Sequence, residues 1–344
     1  MNARKHFDID VVVTWVDGND AVLNDKRAAY IQPEEAQEKD IAAPTRYANR
    51  GEIHWCIRSI NKFMPWVHRI FIVTDKQDPK VESHIPVEII DHQIIFSEYE
   101  QYLPTFNSLS IEAMLWRIPN LSEHFIYFND DLLVCRSIAP EVFFPSERHI
   151  NCHGYKASPF WTKAWFSMKH LVGHSCRVNH VQQMMTAAEI IGNNRWFIRL
   201  AHTPHPLLRS TLQQFYETHP DRLIQNIRNR FRSREHFRTD EICYMTLWNE
   251  GRLHICPVRP VLMRYYSKKG MMQLEWTLRR VTKPGSQVCF ACFYALDQVS
   301  DEIYNRIKQF VDDLLKNNAN PSIELHRTFL VSLQRFLVRT SQVC

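Results

Sequence analysis

FIYFNDDLLV, residues 125–134, places two adjacent carboxylates directly after a run of large apolar residues. Such an unbroken run of aromatic and β-branched residues is typical of a strand buried on both faces of a parallel sheet. Because ligands collect at the carboxyl ends of such strands, Asp130 and Asp131 are candidate ligands of a divalent cation. Oxygen donors alone favour Mg²⁺ or Mn²⁺. A solvated turn or a shared proton explains the same pair, and the motif leaves these alternatives open.

Buried strands that end in polar residues recur through the first part of the chain. Residues 9–16, 68–74 and 87–90 have this pattern, and residues 53–63 between them have apolar residues at helical spacing. Alternating strands and helices predict an α/β fold with a doubly wound, mostly parallel sheet and a helical elaboration or lobe. We expect an α/β core over residues 1–150, an insertion or cap over 151–200, completion of the core over 201–295, and C-terminal helices over 296–344.

The composition restricts the class of protein. With 344 residues, 45% hydrophobic residues and only 8 Gly, the chain is expected to be ordered and globular. A net charge of +5 suits an anionic substrate or anionic lipid and does not by itself imply nucleic acid. The nine Cys include one C-x-x-C, Cys289 and Cys292, and no second pair completes a zinc set. The odd count and the absence of a signal-like start predict a cytoplasmic protein, with any membrane contact peripheral.

Candidate substrate contacts follow the first strand and open the first long helix. Trp15 offers a face for a base or sugar, and Asp17 beside Gly18 offers an acceptor for hydroxyl groups. A core Trp and a turn Asp explain them equally well. Arg50, near the start of the helix with Glu52, suits a phosphate or simply the surface.

A second helix start precedes the acidic motif. Residues 111–118 have a helical pattern that stops at Pro119, and Asn107 or Ser108 is placed to cap it. Helix N-termini in such a fold point toward the ligand crevice, so Asn107 and Glu112 are expected near the acidic pair. Capping alone explains them as well.

Long stretches of the sequence resemble a known family. DIDVVVTWVDGND, NRGEIHWCIRSINKFMPWVHRIFIVTD, DHQIIF and LPTFNSLSIEAMLWRIPNLSEHFIYFNDD, in this order, resemble the first two conserved regions of the Stealth sugar-phosphate transferases. That family includes bacterial capsular polysaccharide phosphotransferases and the enzyme that tags lysosomal glycoproteins with N-acetylglucosamine phosphate. AHTPHPLL and RNRFRSREHFRTDE resemble the third region. KPGSQVCFACFYALDQVSDE and NPSIEL resemble the fourth loosely, because no Asn-Asp follows the Cys and Asp297 is the nearest acid.

The resemblance implies a nucleotide-sugar-transferase-like fold and a specific reaction. A hexose- or N-acetylhexosamine-1-phosphate would pass from a UDP-sugar to a hydroxyl of a growing capsular or surface polysaccharide, which forms a phosphodiester and releases UMP. Mg²⁺ or Mn²⁺ would be held by Asp130, Asp131 and Asp297, with Asn129 as a neutral ligand or sugar contact. Trp15, Asp17, Gly18, Arg50 and Glu52 would bind the nucleotide end.

The resemblance also assigns catalytic residues: His202, Arg232 and Asp131. Histidine, with an ordinary pKa of about 6.5, suits a general base, and Pro204 and Pro206 stiffen the loop around His202. A covalent phosphohistidine is the alternative chemistry, and His205 is the second choice of residue. Arg232 would neutralise charge on the transferred phosphoryl group, although its basic neighbours also suit a solvated face or an anionic glycan.

The residue types of the remaining segments indicate their roles, and the expected partners follow from the resemblance. Residues 151–194 are rich in aromatic and basic residues and suit either acceptor contact or a helical cap over the sheet. The last helices are predicted to be core, with a membrane-surface or partner contact as alternatives. Expected partners are a UDP-sugar donor, a polysaccharide or oligosaccharide acceptor and, peripherally, a membrane capsule-assembly complex, but no nucleic acid. The competing functions are a conventional metal-dependent glycosyltransferase that releases UDP and an inactive glycan- or nucleotide-binding relative.

Overall fold

The computed structural model describes residues 7–31, 47–171, 180–257, 261–263, 270–293 and 296–316. A central sheet with strand order β3-β2-β1-β4-β8 organises these residues. Its first four strands are parallel, and β8 runs antiparallel to β4. The predicted α/β fold with a mostly parallel sheet is therefore confirmed. The five strands are β1 (Ile9–Thr14), β2 (Ile70–Thr74), β3 (Val87–Asp91), β4 (His124–Asn129) and β8 (His205–Leu208).

Register places the polar strand ends at one edge of this sheet. Thr14 pairs with Asn129, and Thr74 pairs with Asp91, so the loops that follow β1, β2, β3 and β4 leave from the same edge. The strands themselves are apolar, and Val11, Val12, Phe125 and Ile126 are fully buried. Hydrophobic burial thus fixes the positions of the strands. The parallel register places their polar ends close together, where ligands bind in such sheets.

Two further sheets extend the fold. One has the order β10-β11-β5 and the other the order β7-β6-β9. The sheet β7-β6-β9 joins the predicted cap over residues 151–200 to the predicted core segment over 201–295, because β6 pairs with β9. The bounds are β5 (Leu132–Val134), β6 (Ile150–Ala157), β7 (Phe197–Leu200), β9 (Leu253–Cys256), β10 (Val261–Met263) and β11 (Phe290–Phe293).

Helices cover the sheets. In α2, Ile53, Ile57 and Ile60 recur at helical spacing and are buried against the central sheet. The bounds are α1 (Ala21–Tyr30), α2 (Glu52–Phe63), α3 (His92–Ile95), α4 (Ser108–Glu112), α5 (Pro159–Leu171), α6 (His180–Ile190), α7 (Arg209–Thr218), α8 (Pro220–Ile227), α9 (Thr239–Asn249), α10 (Gly270–Thr282) and α11 (Asp301–Lys316). None of these helices is both long enough and apolar enough to cross a membrane.

The helix predicted over residues 111–118 differs from the observed structure. Helix α4 begins earlier and ends at Glu112, and a separate 3₁₀ turn covers Leu115–Arg117. Pro119 accounts for the end of the 3₁₀ turn at Arg117, because a proline disfavours helical geometry at the preceding residue, and Ile118 is extended at ψ 124°.

The C-terminal helix α11 is part of the core. Ile303, Ile307 and Phe310 are buried in a cluster that also contains Trp55 and Phe293. The core interpretation is therefore confirmed for α11. The apolar residues predicted after residue 316, and the NPSIEL segment at 320–325, lie outside the described residues.

Close backbone packing fixes the loop after β1. The Gly18 N–H donates to the Tyr47 carbonyl at 2.8 Å, and a Cβ on Gly18 would lie 2.0 Å from that oxygen. Tyr47 in turn donates from its hydroxyl to the Phe106 carbonyl, and the Phe106 N–H donates to the Arg230 carbonyl. Gly18 therefore allows a contact that connects the first loop to the segment carrying Arg232.

We expect Gly18→Ala to lower the free energy of unfolding by about 2–3 kcal/mol, because the added methyl group meets rigid backbone. Gly192→Ala is the matched control: it has positive φ (+82°) but open space around the new Cβ. It should lose only about 1 kcal/mol. Urea unfolding of both variants measures the difference, and equal losses would show that the Tyr47 contact does not matter.

Candidate functional site

Three segments far apart in sequence meet at the turn between β4 and β5, which Asp130 and Asp131 form. Because β8 is antiparallel to β4, His205 pairs with Tyr127 and the loop before it, with His202, reaches the same edge. Because β11 is antiparallel to β5, Cys292 pairs with Leu132. Strand pairing alone thus brings His202 and Cys292 to the acidic turn.

The three side chains form a compact donor cluster. His202 Nε2 lies 3.7 Å from Asp131 Oδ1, and Cys292 Sγ lies 3.1 Å from Asp131 Oδ2. One donor atom from each of Asp131, His202 and Cys292 lies within 4.8 Å of the others. Asp131 Oδ1 is buried and has no hydrogen-bond partner within the described part of the chain. An orphaned carboxylate oxygen facing an imidazole is suited to a cation.

Negative charge is concentrated around this turn. Burial, together with the charges of Asp131 and Glu52, raises the pKa of the Asp130 carboxyl well above its usual range. Burial also raises the pKa of Glu52, and the Asp131 charge adds to the effect. A bound cation would offset these costs, because it favours the ionised form of each carboxyl.

The cluster is not the all-oxygen set predicted for Mg²⁺ or Mn²⁺. It includes Asp131 but neither Asp130 nor Asp297, and Asp297 is exposed on the 3₁₀ turn Leu296–Gln298. Nitrogen and sulfur donors suit borderline cations better than Mg²⁺. Asp130 and Asp131 adjoin each other in the turn, and the assignments of Asp130 and Asp297 as ligands of Mg²⁺ or Mn²⁺ stay predictions.

The first-loop residues predicted to bind the nucleotide end are held in place by burial or by hydrogen bonds. Trp15 is buried, and its indole N–H has no partner among the described residues. Asp17 Oδ1 accepts from the Asn19 N–H at 3.0 Å, as in an Asx turn, and Gln77 Oε1 accepts from the Asp17 N–H. These contacts agree with a core Trp and a turn Asp. The roles of Trp15, Asp17 and Gly18 in binding a ligand stay predictions.

Arg50 joins the start of α2 to the C-terminal helix. Its guanidinium lies 3.9 Å from the Tyr304 ring centroid and donates to the Leu296 carbonyl and to Asp301. Glu52 Oε2 accepts from the Arg50 N–H at 2.6 Å. This guanidinium already has three partners within the chain. Its contact with the phosphates of a donor stays a prediction.

Asn107 is the N-cap of α4, as predicted. Its Oδ1 accepts from the Leu109 N–H at 3.2 Å, and its Nδ2 lies 3.0 Å from Ser110 Oγ and 2.9 Å from His236 Nε2. The side chain is fully buried. Asn107 therefore ties α4 to the segment that carries the basic motif.

Tyr127 links the acidic turn to Glu112. The Tyr127 hydroxyl lies 2.9 Å from Asn129 Oδ1, 3.4 Å from Glu112 Oε1 and 3.0 Å from Thr14 Oγ1. Asn129 is thus held by a neighbouring side chain, and Glu112 lies beneath the same strand end. The predicted proximity of Glu112 to the acidic motif is consistent with this chain of contacts.

Glu112 is the buried carboxyl of a second charged centre. Burial raises the pKa of Glu112 to about 7, while the positive charges of Arg238 and Arg232 lower it and Asp240 raises it. Arg232 donates from Nη2 to Ser108 Oγ at 3.0 Å, at the start of α4. The basic motif therefore places Arg232 beside the helix that carries Glu112.

Sequence reasoning missed three residues: Cys292, Arg238 and Asp240. Arg238 donates from Nε to Asp240 Oδ1 at 2.8 Å, and a second bond joins its Nη2 to the other carboxylate oxygen. Asp240 also lies 3.6 Å from His205. Burial lowers the pKa of His205 to about 3, so this imidazole is neutral. The RTD sequence that follows the basic motif was the available signal for Arg238 and Asp240, and the C-x-x-C was the signal for Cys292.

Two parts of the chain match conserved-region models of a known family. Residues 7–32 match Stealth protein conserved region 1, and residues 46–152 match conserved region 2. The resemblance that the sequence suggested is confirmed for these regions.

Several curated proteins are similar to the chain. A capsular polysaccharide phosphotransferase of Neisseria meningitidis serogroup B is 43% identical over 148 residues, which are 42% of this chain and 39% of that protein. The capsular polysaccharide phosphotransferase LcbA of Aeromonas hydrophila is 34% identical over 233 residues, 66% of this chain and 62% of that protein. The chain therefore corresponds to part of the length of such relatives.

Mouse xyloside xylosyltransferase 1 superposes with a TM-score of 0.41 at 8% identity, over 86% of this chain and 100% of that one. That score does not identify an activity.

Glu112 should make stability depend on pH. Its pKa of about 7 in the folded protein exceeds the ordinary value of 4.5, so the folded state binds more protons between these values. Stability from this group is therefore present below pH 4.5 and is lost as the pH rises through 7. Relative to the native chain, Glu112→Gln should gain roughly 3 kcal/mol in unfolding free energy between pH 4.5 and pH 8.

Urea unfolding of both proteins at the two pH values measures that gain. Glu82→Gln, on the exposed loop before β3, controls for the removal of a carboxylate. A Glu112→Gln difference that does not change with pH would contradict the assignment.

The two histidines of AHTPHP should respond differently to substitution. His205 is buried beside Asp240, so His205→Ala should cost about 2–4 kcal/mol of unfolding free energy. The His202 side chain is 41% exposed in a loop, so His202→Ala should cost less than about 0.5 kcal/mol. Chemical denaturation separates them, and a large loss in His202→Ala would indicate a structural role.

Proposed function

Because the chain carries the first two conserved regions of the Stealth family, we propose that it transfers a hexose- or N-acetylhexosamine-1-phosphate from a UDP-sugar to a polysaccharide hydroxyl. The observation that supports this best is the approach of His202 Nε2 to Asp131 Oδ1 at the carboxyl end of β4. An imidazole and a carboxylate at that edge provide a proton acceptor beside a site for a phosphate-bound cation.

The reaction is a phosphoryl transfer. The acceptor oxygen attacks the β-phosphorus of the donor, and the bond from that phosphorus to the bridging oxygen breaks. UMP leaves with the bridging oxygen, and the hydroxyl proton passes to a base. Such a reaction needs an in-line arrangement, charge neutralisation and a positioned base more than it needs covalent chemistry from the protein.

His202 is the proposed base. Its imidazole is partly exposed and lies in the loop before β8, with Nε2 3.7 Å from Asp131 Oδ1. The Asp131 carboxylate would stabilise the positive charge that the imidazole gains when it accepts the proton. His205 does not suit the role, because it is buried and burial lowers its pKa to about 3, which makes it a weak base.

Arg232 is the proposed partner of the transferred phosphoryl group. It lies near Glu112 and contacts Ser108 at the start of α4, so it has a fixed position at this edge. Asp130 and Asp131 would hold Mg²⁺ or Mn²⁺, which supplies positive charge to the donor pyrophosphate when bound. Asn129 would contact the sugar from its position beside Tyr127.

The uridine end is assigned to the loop after β1. Trp15 would lie beneath the base or ribose, with Asp17 and Gly18 in the adjoining turn. Arg50 and Glu52 would contact the nucleotide end from the start of α2. Asn107 and Glu112 position the Arg232 segment.

The acceptor is assigned to the aromatic helix α5. Phe160, Trp161, Trp165 and Met168 are exposed on this helix, and exposed aromatic faces suit sugar rings. A cytoplasmic location and peripheral contact with a capsule-assembly complex remain predictions.

Nucleotide release tests the proposal. Purified protein, a panel of UDP-sugars and a capsule-type acceptor should yield UMP with Mg²⁺ or Mn²⁺ and with one donor. His202→Ala should lower turnover about 10²- to 10⁴-fold with little change in donor affinity, because a base acts on the transition state. Asp131→Asn should abolish metal-dependent turnover while the protein stays folded.

His84→Ala is the matched control for His202→Ala. His84 is exposed and precedes β3, so it lies at the opposite edge of the sheet. UDP as the product would replace this proposal with glycosyl transfer. No release from any donor would favour an inactive glycan- or nucleotide-binding relative.

A further inference from the structure

We propose that Asp131, His202 and Cys292 form a binding site for a thiophilic divalent cation, Zn²⁺ in particular, and that its occupation inhibits the enzyme. The site uses one oxygen, one nitrogen and one sulfur donor from three separate elements. The inhibition rests on the proposed transfer reaction. Ion binding needs neither donor nor acceptor and is tested independently.

The donor separations fit tetrahedral zinc. Zn–O and Zn–N bonds of about 2.0–2.1 Å and a Zn–S bond of about 2.3 Å give ligand separations of about 3.3–3.6 Å. The observed distances are 3.7 Å from Asp131 Oδ1 to His202 Nε2 and 3.1 Å from Asp131 Oδ2 to Cys292 Sγ. These distances involve different oxygens of Asp131, and one donor atom from each residue lies within 4.8 Å of the others, so side-chain rotations would bring the three donors onto one ion. Three protein ligands would leave a fourth position open.

The chemistry of the donors selects the cation. A thiolate favours Zn²⁺ or Co²⁺ and is a poor ligand for Mg²⁺, which prefers oxygen and water. Without an ion, the Cys292 thiol donates to Asp131 Oδ2. When the ion binds, the S–H bond breaks, the proton passes to solvent, and sulfur bonds to the metal.

Neighbouring Cys289 provides an internal comparison. It occupies the other end of the C-x-x-C, but its Sγ lies 3.6 Å from the Gln287 carbonyl and does not belong to the donor cluster. The C-x-x-C spacing does not distinguish the two thiols. In the structure, only the Cys292 thiol lies in the donor cluster. Substitution of Cys289 therefore tests for effects of a lost cysteine in this strand region.

Occupation should block catalysis because Zn²⁺ takes the nitrogen that the reaction needs. His202 Nε2 faces Asp131, and a metal bound there uses the lone pair that would accept the acceptor proton. The same ion also uses Asp131, which is proposed to hold the productive cation. Zn²⁺ should therefore compete with Mg²⁺ or Mn²⁺ and remove the base.

Cobalt titration of the metal-free full chain is the first test. Co²⁺ should produce a near-ultraviolet sulfur-to-cobalt charge-transfer band that Zn²⁺ abolishes by displacement. Cys292→Ser should lose the band and weaken Zn²⁺ binding by at least about 100-fold, whereas Cys289→Ser should keep both. Calorimetry in two buffers should show about one more proton released per ion by the native chain than by Cys292→Ser.

Cobalt binding without the band, or equal Zn²⁺ affinity in Cys292→Ser, would overturn the site and leave the thiol as a hydrogen-bond donor to Asp131. Cys292→Asp gives an independent check. Replacing the soft sulfur donor with a hard carboxylate oxygen should shift the metal selectivity of the site from Zn²⁺ toward Mn²⁺. Unchanged selectivity would count against sulfur ligation.

The inhibition is tested as the ratio of transfer rates with and without micromolar Zn²⁺ at saturating Mg²⁺ or Mn²⁺. The native chain and Cys289→Ser should be inhibited, and Cys292→Ser should resist. Zinc binding without inhibition would overturn the regulatory part alone. Failure of every donor to react would contradict the proposed function, while the cobalt spectrum would still decide the site.

Discussion

Accumulated negative charge at the end of β4 is the constraint on which the site depends. Asp130, Asp131 and Glu52 lie where parallel strands end and water is partly excluded, and burial and mutual repulsion raise the pKa of Asp130 and Glu52. Such a group of carboxyls is stable only if it retains protons or gains a cation. The apolar strands therefore create both the rigid position of the site and its demand for positive charge.

A second charged centre is joined to the first through one side chain. The Tyr127 hydroxyl contacts Asn129 on the acidic side and Glu112 on the other. Around Glu112, Arg232 and Arg238 oppose the charge of Asp240. A phosphate placed between a cation at the acidic turn and an arginine would receive positive charge from two sides. The buried Tyr127 fixes the spacing of these two centres.

Local sequence patterns predicted local structure, and pairing over long distances decided the rest. The apolar runs located the parallel strands, and Asn107, one of the two cap candidates, is the observed N-cap, since capping depends on residues within one turn. The C-x-x-C marked Cys292 but not its position beside Asp131, because that position depends on an antiparallel strand pairing that joins residues 161 apart in the chain. Similarly, nothing near Arg50 indicates its contact with Asp301 on α11.

The two histidines of AHTPHP show how one strand boundary separates chemical roles. His205 begins β8 and is buried beside Asp240, where burial lowers its pKa and Arg238 already occupies the carboxylate. His202 lies three residues earlier, outside the strand, and meets Asp131 at the open edge. A single imidazole there is able to take a proton or a metal through Nε2, but not both at once. A cation held by the carboxylates alone would keep the imidazole available as a base, whereas a cation that also bound the Cys292 thiolate would remove it. The identity of the bound ion would therefore decide whether the same three side chains support the proposed reaction or prevent it.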